Sequence, residues 1–217
     1  MPRKQFEDDL KKLRNRFHEM GDITNSAVHK AVRSFVNHDR ALAQEVINDD
    51  EKINELEIKL EKECFEIMAL QQPVANDLRM VITIMKASSD LERIGDHAVS
   101  IARATIATKG ETRIMDVEKA LQFMSNDVKA MVDDTLTSFV LQDVKAAKKA
   151  AKEDGDVDEK YREIYKSCLE HMQADAETIV TGTEYIKVAG FLERIGDYAT
   201  NICEWVVYLS TGKITEL

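Results

Sequence analysis

Leu91-Glu92-Arg93-Ile94-Gly95-Asp96 returns, residue for residue, as Leu192-Glu193-Arg194-Ile195-Gly196-Asp197. The offset is 101 residues, and the match runs on through Ala98 and Ala199, then Ile101 and Ile202. A six-residue identity is not a chance event in a chain of 217 residues, so the fold is read from a duplication. A looser pair lies upstream of each copy: Asp50-Glu51-Lys52-Ile53-Asn54 and Asp154-Gly155-Asp156-Val157-Asp158. Each places an acid four residues before Asn or Asp, with an aliphatic residue fourth. Their offset is 104, so about three residues separate the spacing of the two halves. The halves are 1–110 and 111–217, two tandem copies of one unit.

Within each half the apolar period is helical. Tyr185, Val188, Leu192, Ile195, Ala199, Ile202, Val206 and Leu209 alternate spacings of three and four, the seam of a helix packed lengthwise on others. Ile84, Ala87, Leu91, Ile94, Ala98 and Ile101 repeat it in the first half, and Phe6, Leu10, Leu13, Phe17 and Met20 form a further stripe. Asp39 is read as the N-cap of a second helix. Pro73 ends that helix and suits the first turn of the next. Lys109-Gly110 ends the third and joins the halves, with Gly110 placed just past the helix end. Turns follow near Leu141 to Val144 and Gln173 to Asp175, and Thr211-Gly212 ends the last helix. The predicted fold is all-α: six helices, several of about 30 residues and about 45 Å long, bundled in two pseudo-symmetric groups of three. A long helix cannot bury its stripe alone, so each triplet must pack together.

Composition narrows the function. Only 2 Pro and 8 Gly are present, too few to punctuate a sandwich or an α/β fold. The formal charge is −10, and no charge run offers the basic face that neutralises phosphates on a duplex, so no nucleic-acid partner is expected. Cys64, Cys168 and Cys203 are scattered and odd in number, which fits buried, reduced thiols and a cytoplasmic location. Residues Pro2 to Met20 have no apolar core and do not read as a signal peptide. No apolar run approaches the roughly 18 residues that span a bilayer, so any membrane role passes through a partner.

The repeated motif carries the candidate chemistry. Four residues turn a helix by about 400°, so Glu92 lies one turn below Asp96, and Glu193 below Asp197. Acids so placed repel, and a hard cation that prefers oxygen ligands gives a reason to keep them. Asp50 with Asn54, and Asp154 with Asp158, add oxygen-bearing side chains if the second and third helices of each half run antiparallel. The competing reading is a salt-bridge lattice in which Arg93 and Arg194 neutralise the acids without metal. Gly95 and Gly196 mark a close approach of another backbone or a ligand. His97 aligns with Tyr198 and is no shared ligand, and His18, His29, His38 and His171 read as ordinary surface or core residues. No histidine is preceded three residues earlier by Glu, which counts against a di-iron oxidase bundle. Nucleophile elbows, phosphate loops and dinucleotide fingerprints are absent. Met68, Met80, Met85, Met124, Met131 and Met172 read as core filler.

Gln72-Pro73-Val74-Ala75-Asn76-Asp77-Leu78-Arg79, Asp90 through Asp96, and Leu192 through Asp197 followed by Asn201-Ile202-Cys203-Glu204 together resemble the PhoU family. The resemblance spans essentially the whole chain. It implies two three-helix bundles with metal ions held by Glu92 and Asp96 in one and Glu193 and Asp197 in the other. The upstream partners are Asp154 with Asp158, and Asp50 with Asn54. Asn54 departs from a carboxylate, which implies weaker binding at the first site. Iron, zinc, magnesium and manganese all suit such ligands.

The resemblance also implies a non-enzymatic, homodimeric, cytoplasmic regulator. Such a regulator restrains phosphate uptake through a Pst-type ABC transporter and quiets a PhoR-type sensor kinase when phosphate is plentiful. Two other readings stand beside it: a carboxylate-bridged metalloenzyme in a helical bundle, and a metal-free helical scaffold.

Overall fold

The structure, a computed structural model, describes residues 2–108 and 110–217, with side chains from Lys4 onward. The chain runs through α1 (Pro2–Val36), α2 (Arg40–Gln71), α3 (Ala75–Ala107), α4 (Met115–Leu141), α5 (Val144–Lys152) and α6 (Asp154–Ala174). A single 3-10 turn (Ala176–Thr178) then leads into α7 (Ile179–Thr211). No strand occurs among the described residues.

The first turn of each half is built twice from the same parts. His38 and Gln142 adopt left-handed backbone, with φ of 54° and 52°. The following Asp39 and Asp143 send their N–H back to Ser34 O and Ser138 O at 2.8 and 2.9 Å. Asp39 then accepts from the Leu42 N–H, and Asp143 from Lys145 and Ala146, which satisfies donors that a helix start leaves open. The break after α2 falls at Gln72, left-handed at φ 47°, so Pro73 lies between the helices and not in the first turn of α3. α3 stops at Ala107, with the Thr108 N–H returning to Ala104 O. Lys109, predicted to share that stop, lies outside the described residues. Gly110 has φ 87° in the connection beyond the helix end. Gly212 caps α7 at φ 72°, its N–H on Tyr208 O at 2.7 Å.

The second rod of the second half is not continuous: α5 and α6 are separated at Glu153. Glu153 donates back to Ala150 O and closes α5 with a tightened turn, and Asp154 begins a new helix. Its counterpart Asp50 sits inside the unbroken α2.

The predicted seams are the core. Ile84, Ala87, Leu91, Ile94, Ala98 and Ile101 are fully buried, and Tyr185 through Leu209 along the seven-residue pattern are buried as well. The six methionines read as filler are buried or packed against this core, and the three cysteines are buried free thiols. Each fully buried Leu or Ile contributes about 1.5–3 kcal/mol.

Packing places α1, α3, α7 and α4 in a ring in that order, with α2 outside α1 and α3, and α5 and α6 outside α4 and α7. α3 and α7, from different halves, lie against each other along much of their length. Phe35 meets Tyr185 edge to face at 5.5 Å, and Phe17 meets Phe139 at 4.3 Å, so aromatic pairs also cross the halves.

Candidate metal-binding site

The α3–α7 pairing brings the two copies of the motif to one edge of the molecule. A hollow of about 680 Å³ opens there, lined by Arg93, Asp96 and His97 of α3 and by Arg194, Asp197, Tyr198, Thr200 and Asn201 of α7, with Asp154 of α6. His97 stacks on Tyr198, its counterpart in the repeat, at 5.8 Å, and on Phe191 at 5.7 Å. Asp96 and Asp197, the closing acids of the two motifs, thus border a common space.

Around each motif the structure gathers the residues that the sequence nominated. Asp154, Asp158, Glu193 and Asp197 form the second set. Burial, then the charge of Asp197, Asp158 and Glu193, pushes Asp154 up from 3.8 to about 6. Glu193 is raised by burial and by Asp197 and Asp158, and Asp197 by burial and Asp158. In the first set, Asp50 is raised by burial and by Asp96, and Glu92 by burial and by Asp96 and then Glu57.

Glu57 is the residue that the sequence reading missed. It stands seven positions after Asp50 and three after Asn54, on the same stripe of α2. Its repeat counterpart is Tyr161, so the comparison of halves concealed it. With Glu57 the first set again has four carboxylates beside Asn54, matching the second.

The same oxygens lack partners. Asp50 Oδ1, Asn54 Oδ1 and Asp154 Oδ1 are buried without a hydrogen bond. A buried unpaired acceptor costs roughly 1–3 kcal/mol, and an ionised one more. The glycines of the motif make room for these groups. A Cβ on Gly196 would stand 2.7 Å from Asp154 Oδ1, and one on Gly95 would stand 3.0 Å from Ile53 Cδ1 and 3.9 Å from Asp50 Oδ1. Arg93 meets Asp96 at 3.4 Å and Glu92 at 3.6 Å, but its side chain is 54% exposed, so solvent weakens both pairs. Arg194 lies within electrostatic reach of Glu193 and Asp197. It forms no ion pair within 4.0 Å among the described residues. Arg162 pairs with Asp158 at 3.2 Å, so arginines neutralise each set in part and leave Asp154, Glu193 and Asp197 without an ion pair among the described residues.

In chemistry the donors fit a hard cation: carboxylates and one amide oxygen, several without another partner. As the side chains stand, no three His, Cys, Asp or Glu residues among those described close around a common point. Binding would draw together carboxylates that now repel.

A second carboxylate ties the halves together. Asp90, just before the first motif, accepts from Trp205 Nε1 at 3.0 Å and from the Asn201 amide at 3.4 Å, both on α7. Burial raises it to about 6, against the pull of those two donors and of Lys86, while Glu204 adds to the rise. Trp205 is the only tryptophan. Its emission is expected to change with a midpoint near pH 6 as Asp90 loses its proton, and Asp90→Asn should flatten that transition. An unchanged titration in the variant would assign it to another group. Farther along, Glu118 accepts from Tyr185 and Arg113, and His38 Nε2 stands 3.4 Å away. His38 is thus part of a polar cluster spanning both halves rather than an isolated histidine.

Repeated helical bundles with acid pairs at matching places on two paired helices define a class of duplicated, carboxylate-bearing helical proteins. The chain belongs to the PhoU family. The family model, PhoU domain, matches residues 17–105 and again 121–206. The chain is 37% identical to the phosphate-specific transport system accessory protein PhoU homolog of Clostridium acetobutylicum, covering 100% of this chain and 99% of the relative. It is 36% identical to the homolog of that name from Streptococcus pneumoniae, with 99% of each covered.

Two crystal structures are similar throughout. One is the phosphate transport system regulatory protein PhoU from Streptococcus pneumoniae, at TM-score 0.91 and 35% identity, covering 98% of this chain and 100% of that one. The other is PhoU from Pseudomonas aeruginosa, at TM-score 0.92 and 35% identity, covering 96% and 100%. Their names support a regulatory role in phosphate transport. No helix among the described residues is long and apolar enough to cross a membrane.

Proposed function

We propose that the chain is a non-enzymatic, metal-binding adaptor that restrains phosphate uptake and keeps phosphate-starvation signalling quiet. It docks as a homodimer on the cytoplasmic side of a Pst-type transporter, and on a PhoR-type sensor kinase. The observation that carries the metal reading is the pair of matching acid sets with buried oxygens that have no partner. Glu92, Asp96, Asp50, Asn54 and Glu57 would hold one cation group, and Glu193, Asp197, Asp154 and Asp158 the other. A cation bound there would supply positive charge that offsets the clustered carboxylates and fixes the acid edge as a docking face. The protein's own part is to hold α2 against α3, and α6 against α7, so that the acids of each set lie within electrostatic reach of one another.

The test is elemental analysis of purified protein before and after chelation, with Glu92→Ala combined with Asp96→Ala. The double variant should lose part of the bound metal and de-repress the phosphate response, while helicity changes little. Full metal content with normal regulation in that variant would sink the reading.

A further inference from the structure

The acid motifs occupy the α3–α7 edge of the ring, and a hollow on the opposite edge, where α1 meets α4, has a lining of the reverse character. A hollow of about 500 Å³ opens between those two helices, and none of its lining residues is Asp or Glu. α1 contributes His29, Lys30 and Arg33, and α4 contributes Gln122, Asn126 and Lys129. Gln122, Asn126 and Lys129 follow at spacings of four and three, so they form one stripe, and Lys30 and Arg33 lie one turn apart on the facing helix. In a chain with 40 acidic and 30 basic residues, such a concentration runs against the composition.

The cations differ in their commitments. Lys30 is already held by Glu45, and by Asp49 at 3.5 Å, while His29 stands 3.6 Å from Asp133. Arg33 and Lys129 form no ion pair or side-chain hydrogen bond among the described residues. They come from different helices and different repeats, and Lys129 is partly buried.

The geometry points to this hollow as a binding site for a tetrahedral oxyanion: orthophosphate, or the phosphoryl group of a small ester. A planar guanidinium donates to two oxygens at once, and an ammonium on the facing helix reaches a third. The side-chain amides of Gln122 and Asn126 add neutral donors without adding repulsion. An anion held between Arg33 and Lys129 links α1 to α4, and so joins the two repeats on the edge away from the motif.

The inference does not depend on the metal reading, and the test separates them. Orthophosphate binding is measured by calorimetry on chelator-treated full-length protein, then repeated with adenosine monophosphate. The variants are Arg33→Gln with Lys129→Gln, and separately Glu92→Ala with Asp96→Ala, each checked for unchanged helicity. Saturable binding is expected in the treated wild type, weakened about tenfold or more by the first pair and unchanged by the second. Binding of the nucleotide alone, with the same dependence on Arg33 and Lys129, identifies the ligand as an ester's phosphoryl group and upholds the site. Absence of binding by both probes, binding that survives the first pair, or binding abolished by chelation overturns it.

Discussion

Leu192→Ala is expected to lower stability by about 2–5 kcal/mol, and Leu91→Ala by a similar amount. Both side chains are fully buried and hold the same place in the two motifs. Each truncation removes several methylene groups from a packed seam, and the cavity left behind adds to the lost transfer energy. The informative part is the shape of the transition. α3 packs on α7 across the repeat boundary, so neither half can expose its seam without exposing the other's. Thermal unfolding should therefore stay a single cooperative event in both variants, shifted to lower temperature. Two resolved transitions, with only one of them moved by each substitution, would show that the halves melt independently.

Asp154→Asn should act in opposite directions depending on metal. Asp154 is raised from 3.8 to about 6 by burial and by three neighbouring acids. In chelated protein at neutral pH its charge costs about 1–2 kcal/mol after solvent screening. The start of α6 favours a negative charge by about 0.3–1 kcal/mol, which is the smaller effect. The variant should thus be stabilised by about 1 kcal/mol without metal.

The pH dependence follows from the raised value. The native state holds the proton more tightly than the unfolded chain, so the penalty is absent below 3.8. It grows as pH rises from there to about 6 and is complete above that. Chelated wild type should lose stability across that window, and the variant should lose less. Added manganese or zinc should stabilise wild type by mass action and the variant distinctly less. Calorimetric melts with chelator and with each metal decide the matter. A variant less stable than wild type in chelator would mean that the carboxylate makes favourable contacts instead.

The candidate site was visible in the sequence where the repeat displayed its acids. Glu92, Asp96, Glu193, Asp197, Asp154, Asp158, Asp50 and Asn54 each stand at repeated spacings on a helix, and spacing on a helix is a local property. Glu57 escaped because its counterpart is Tyr161, so self-comparison gave no signal. Asp90 was quoted only as part of a motif. Its acceptor role depends on Trp205 and Asn201, which lie more than a hundred residues away in sequence. The break at Glu153 escaped because neither proline nor a change of apolar period marks it.

By itself the sequence determined the helices, their seams and most of their ends. These follow from side-chain period and from capping groups such as Asp39 and Asp143, which act within a few residues. It also determined the duplication, and with it the pairing of acids on the third helix of each half. Only the tertiary structure decided the order of the ring, the α3–α7 contact that sets the two motifs on one edge, and the α1–α4 contact that gathers Arg33 and Lys129 on the other. A helix carries its stripe in its own residues, but which stripe it meets depends on how the volumes and shapes of all the buried side chains fit together.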